Sequence, residues 1–131
     1  MSGDDHAPPV AGILGGPPVV VVSSTLPDVD TARSVARRLV ESELAACAQV
    51  GAAVWSVYRW EGAVDEADEV ELVCKTSEAA LEACVAALVA AHPYDLPQVV
   101  VTLAGATVRY ADWVRSGTGG AAAGGADGTG A

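Results

Sequence analysis

The sequence predicts an α+β domain in which one face of a β-sheet carries two helices, in the chain order β-α-β-β-α-β with a short helix at the end. Three observations lead to it. Valine-rich runs stand at Val19–Val22 and Val99–Val101. Two stretches between them place apolar residues at helical spacing. Between those helices, two alternating segments turn at Gly62. Helix-period and strand-period signals in this order define the split βαβ arrangement.

Val19 to Ser23 is short, β-branched and apolar, and reads as the first strand. Leu26-Pro27-Asp28 ends it, and Asp28 is a good N-cap for the first helix. From Val29 to about Glu43, residues Ala32, Val35, Ala36, Leu39 and Val40 repeat at helical spacing, with Arg33, Arg37 and Arg38 on the wet side. Ala46 to Trp60 shifts to strand character. Val54, Ser56, Tyr58 and Trp60 share one face, while Trp55, Val57 and Arg59 share the other. Glu69 to Lys75 returns with Val70, Leu72 and Cys74 on one side. Thr76 and Ser77 are cap candidates for a second helix over about Glu78 to Ala91, whose buried stripe is expected to be Ala80, Leu81, Cys84, Val85, Leu88 and Val89. Pro93 stops that helix. Pro97 to Leu103 is the last strand, and Thr107 to Arg115 a short helix with Tyr110 and Trp113 three apart.

The chain of 131 residues has room for one domain. Residues 1–18 are rich in Gly, Pro and Asp, and 117–131 are almost all Gly, Ala and Thr. Neither stretch holds enough apolar surface to offset the entropy of ordering it, so both are expected to be disordered around a folded domain at 19–116. The net charge of -10 argues against nucleic acid and acidic membrane surfaces, since no basic stripe exists to displace counterions. Acids gather on one hairpin at Glu61, Asp65, Glu66, Asp68, Glu69 and Glu71, a solvated face or a weak cation site. Cys47, Cys74 and Cys84 form no CxxC and no zinc-type spacing. Reduced thiols and the lack of an export signal point to the cytoplasm, and no apolar run approaches the roughly 20 residues that span a bilayer.

The strands do not alternate cleanly. Val19–Val22 and Val99–Val101 are apolar at every position, as in strands buried on both sides. Trp55 and Val57 add apolar bulk opposite Tyr58. At about 25 cal/mol per Å² of apolar surface, side chains like these strongly favour cover by another subunit. The pattern predicts an obligate oligomer and leaves the number of subunits open.

Several short motifs recur in one order: Thr25-x-Pro27-Asp28, Leu44-Ala45-Ala46-Cys47, Tyr58-x-Trp60-x-Gly62, Glu69, Lys75-Thr76, His92-Pro93-Tyr94-x-x-Pro97 and Tyr110-x-x-Trp113. Together they resemble the CutA (divalent-cation tolerance) family over nearly all of Val19 to Trp113. The resemblance implies a ferredoxin-like fold and a compact homotrimer that joins sheets between subunits, similar to the PII signalling trimers. It also implies a link to divalent-cation tolerance, with copper binding in some members and no established enzymatic activity. Ser24 stands where members with a copper site often carry cysteine, and Gln98 stands where an acid is usual. Both changes remove candidate ligands. Ala104 replaces a proline.

The candidate metal residues are His92 and Cys47. An imidazole at that helix end is either a Cu(II) or zinc ligand or a cap for the last carbonyls. Cys47 is either a soft-metal thiolate or a small buried strand residue. Tyr58, Trp60, Lys75 and Tyr94 are candidates for an inter-subunit cleft that holds a small molecule, and aromatics are equally what interfaces use. Lys75 and Glu69, an even number apart, share a strand face, and a buried or interfacial ion pair between Lys75 and an acid is expected. Phosphate loops, Ser-His-Asp patterns and HExxH are absent from the sequence. The function that the resemblance implies is a non-enzymatic homotrimer that binds copper or another divalent cation in the response to metal ions, with no organic cofactor expected. The alternatives are a PII-like small-molecule module and a trimeric interaction scaffold.

Overall fold

In the computed structural model, which describes residues 14–122, the elements follow the predicted order. They are β1 (Val19–Leu26), α1 (Val29–Glu41), β2 (Cys47–Trp60), β3 (Ala63–Thr76), α2 (Leu81–Ala91), β4 (Val100–Ala104) and α3 (Val108–Ala122). The strands form one antiparallel sheet in the order β2-β3-β1-β4, so β2 and β4 are its two edges.

The local reasons are ordinary chemistry. Asp28 caps α1 by accepting from the Thr31 backbone N–H at 2.7 Å, which also holds the Asp28 carboxyl below its usual range. Glu43, at φ 62°, ends the helix in the left-handed region. The β2–β3 hairpin turns on Glu61 and Gly62, at φ 51° and 83°, the pair of positive values a tight two-residue turn demands. β3 is far longer than the predicted Glu69–Lys75, because pairing with β2 from Trp60↔Ala63 onward satisfies its backbone whatever the acids prefer. Neither cap candidate caps α2, whose N-cap is Ala80 with no side-chain cap bond; Ser77 Oγ accepts from the Ala80 N–H at 3.3 Å in the turn that leads into the helix. Thr76 instead donates to the Leu44 carbonyl at 2.7 Å.

The main core lies between the sheet and α1/α2. Val20, Val22 and Leu26 of β1 meet Leu72 and Cys74 of β3, Ala32, Val35 and Leu39 of α1, and Cys84 and Leu88 of α2. Burial pushes the Cys74 thiol up to about 12 and that of Cys84 up to about 11. A smaller core on the opposite sheet face joins Val19 to Ala111 and Val114 of α3.

Two expectations need correction. The tail boundary at 117 falls inside α3, which runs to Ala122. Tertiary contact overrides glycine's poor helix propensity here. A Cβ on Gly117 would lie 3.1 Å from that of Ala46, and buried Thr118 bonds Ser77 Oγ at 2.7 Å and the Val114 carbonyl at 3.0 Å. The expected disorder of residues 1–13 and 123–131 lies outside the described residues. The second correction is β4. It begins at Val100 rather than Pro97, and Val100, Val101 and Leu103 are exposed in the single chain. β4 is an edge strand, paired on one side only.

Candidate functional site

Beyond the helix-covered part of the sheet, the far end of the β2–β3 hairpin and the 93–98 loop line an open cavity of about 960 Å³. Tyr58 and Trp60 alternate with Ser56 along one face of β2, so all three reach the same side. Glu69 of β3 lies on that side, opposite Val54, and is only 9% exposed. Its carboxylate accepts from Ser56 Oγ at 2.7 Å and from Tyr94 Oη at 2.9 Å. Burial, then the Glu69 carboxylate, push the Tyr94 phenol up to about 12.

His92 fixes the loop that brings Tyr94 there. Its Nδ1 accepts from the Tyr94 N–H at 3.1 Å, so the proton sits on Nε2, which donates to the Thr25 carbonyl at 2.8 Å. The His92 and Tyr94 rings lie 4.8 Å apart. The buried imidazole thus ties β1 to the loop and is saturated by backbone groups.

Cys47 sits elsewhere. It pairs with Lys75, which pairs with Val21, whereas His92 bonds at Thr25, four residues further along β1. That is about 13 Å along the sheet. Cys47 Sγ lies 3.6 Å from Tyr110 Oη. Among the described residues no group of three His, Cys, Asp or Glu side chains is placed to hold a metal ion. The Ser24 hydroxyl points into the main core without a hydrogen-bond partner among the described residues. With both His92 nitrogens engaged and Cys47 distant, the described residues of one chain do not fit a copper site.

The structure therefore gathers Tyr58, Trp60 and Tyr94 and leaves Lys75 out of the cavity. Lys75 Nζ donates to Gln49 Oε1 at 2.7 Å, and the expected ion pair with an acid is not formed among the described residues. Glu69 shares its face but stands six residues away, about 20 Å along a strand. Reading for parity missed distance. It also missed Ser56 and Glu69 as the polar floor of the cavity. The available signal was an acid on β3 at the same face as the alternating Ser56, Tyr58 and Trp60.

The fold is a ferredoxin-like α+β domain with a recess at one sheet end. The comparisons with known proteins are narrower. The family model described as CutA1 divalent ion tolerance protein matches residues 20–117, and the chain belongs to that family. It is 39% identical over 100 residues to the divalent-cation tolerance protein CutA of Thermus thermophilus, covering 76% of this chain and 97% of that one. It is 33% identical to the chloroplastic CutA of Arabidopsis thaliana, covering 77% of this chain and 56% of that protein. Among solved structures, CutA1 from Oryza sativa superposes with a TM-score of 0.74 at 33% identity, covering 79% of this chain and 95% of that one. Relatives carry the words chloroplastic and periplasmic in their names. Among the described residues no helix is long and apolar enough to cross a membrane.

Proposed function

We propose that this chain acts as a non-enzymatic homotrimer in the cellular response to divalent metal ions, working by binding rather than by chemistry. One observation carries the reading: large apolar side chains stand bare in the single chain. Trp55 is 63% exposed, Val57 51%, Val64 66% and Leu96 71%. Trp55 and Val57 lie on the open β2 edge, as the exposed Val100, Val101 and Leu103 lie on the open β4 edge, and a second copy can extend the sheet there and cover them. The expected cargo is a divalent cation, copper first by the Irving–Williams order. Since the described residues of one chain offer no complete ligand set, the ion is held weakly at a boundary between copies, where hairpin acids, Cys47 or His92 contribute. His92 enters that set only by giving up its bond from the Tyr94 N–H. Three free cysteines support a reducing compartment such as the cytoplasm.

Sedimentation at low protein concentration tests the assembly, and a folded single chain there refutes it. Calorimetric titration with Cu(II), with His92→Ala and Cys47→Ser alongside, tests the cargo. Weak binding that either variant loses supports the reading; no heat at all in the assembled protein removes copper.

The Glu69 cavity favours a second reading, a PII-like module with a small organic ligand. Its polar groups converge on a recess of ligand size.

A further inference from the structure

We infer that the Glu69 cavity is a receptor for a small organic cation, a protonated amine or guanidinium carried on a short apolar chain. This rests on the second reading above, that the cavity takes an organic molecule, and names the class.

Charge is unbalanced inside the cavity. Glu69 is about nine-tenths buried, yet its oxygens are met only by two neutral hydroxyls, Ser56 Oγ and Tyr94 Oη. Among the described residues no lysine, arginine or histidine nitrogen lies within 4.0 Å of it. A buried carboxylate in a protein interior is ordinarily paired with a cation, because hydroxyl donors alone replace only part of its lost hydration. Each oxygen has accepted one hydrogen bond and retains a lone pair for another.

The surroundings select for the same charge. Asp65 and Asp95 also line the cavity, against Arg59 as its one basic lining residue. Tyr58 and Trp60 stand side by side on the β2 face that looks toward Glu69, each with more than a third of its surface exposed. Ring faces attract an ammonium or guanidinium electrostatically, and the attraction grows as the site dries. The His92 hydrogen bonds hold Tyr94 in place before any ligand arrives, so the donor geometry at Glu69 is set in advance. A bare metal ion is a poorer match. It needs several charged or neutral ligands within about 2.0–2.6 Å, and no cluster of three is present among the described residues. A cation with an apolar tail uses both the carboxylate and the aromatic wall.

The test uses the full chain and four probes: n-butylammonium, n-butylguanidinium, butyrate and magnesium ion. Amide chemical shifts and tryptophan fluorescence read binding, and sedimentation is run on the same samples. The expected result is saturable binding of the two organic cations. Shifts should centre on Tyr58, Trp60, Glu69 and Tyr94, with no response to butyrate. Glu69→Gln should weaken the cations at least tenfold, while the melting temperature and sedimentation show that the variant still folds and assembles. If Glu69→Gln fails to fold, Trp60→Ala, on an exposed ring, should show the same weakening in a folded protein. Equal binding of butyrate, unchanged affinity in a folded variant, or displacement of the cation by magnesium overturns the inference. So does an assembled protein that ignores every probe, because a neighbouring copy then fills the cavity. A single chain that binds the cations refutes the trimer and leaves this inference standing.

Discussion

Replacing Ser24 with alanine should make the protein more stable, against the usual direction for a core substitution. Ser24 is 2% exposed on the helix-facing side of β1, between Val22 and Leu26 and opposite Leu72. Its Oγ has no hydrogen-bond partner among the described residues. A hydroxyl that gives up water and gains nothing costs about 1–3 kcal/mol. Deleting it returns that cost and loses the dispersion contacts of one oxygen atom, at about 0.1–0.2 kcal/mol per atom pair. The balance is about 1 kcal/mol in favour of alanine. For a domain of this size that is a rise of about 4–8 °C in melting temperature. Thermal unfolding followed by circular dichroism reads it directly. Wild type and variant must be compared at one protein concentration, since an oligomer's melting point moves with concentration. Ser23→Ala, one residue away on the half-buried opposite face, is the control and should stay within about 0.5 kcal/mol. Ser24→Cys should also stabilise, because a buried thiol tolerates an apolar site better than a hydroxyl. A fall in stability for Ser24→Ala, with the control unmoved, would refute the reasoning. The hydroxyl would then have a partner that the geometry does not show.

Tyr94→Phe removes the bond to Glu69 and should destabilise by about 1 kcal/mol in chemical denaturation. The same phenol sets an alkaline signature. Its native value is pushed up to about 12, above the ordinary value near 10, so its contribution is fully present below pH 10. Between about pH 10 and 12 the unfolded chain has lost a proton that the native one keeps, and stability falls; Tyr94→Phe should flatten that decline. Cys74 and Cys84, with thiols pushed up to about 12 and about 11 by burial, should resist a thiol reagent at about pH 8 until denaturant is added. Rapid modification of either in the native protein would contradict their burial. Gly117→Val drives a branched side chain toward Ala46, whose Cβ lies 3.1 Å from the first atom added. It should cost about 1–3 kcal/mol and loosen α3, whereas Gly119→Ala, where a Cβ meets nothing within 4 Å, should be neutral or stabilising.

Periodicity alone determined the element order, the two helix stripes and the exposed apolar surface. These are local facts: each follows from which side of a helix or strand a side chain must take. Ala32, Val35, Ala36 and Leu39 are buried as their spacing required, and Ala80, Cys84 and Leu88 likewise, whereas Val40 and Val89, read into the same stripes, are exposed at the rims of their helices. The short motifs carried family membership, because side chains set at fixed intervals survive in the linear code. Distance is not in that code. Lys75 and Glu69 share parity but stand about 20 Å apart, and His92 and Cys47 share a family pattern but occupy different levels of the sheet. Only the folded chain brought Ser56, Glu69 and Tyr94 together, across β2, β3 and the loop after α2, and only it turned both His92 nitrogens toward backbone groups. It also carried α3 past the glycines at 117 and 119, since contacts with Ala46 and Ser77 outweigh what glycine loses by being ordered. Local chemistry chose the elements; long-range packing chose which polar groups would meet in the recess.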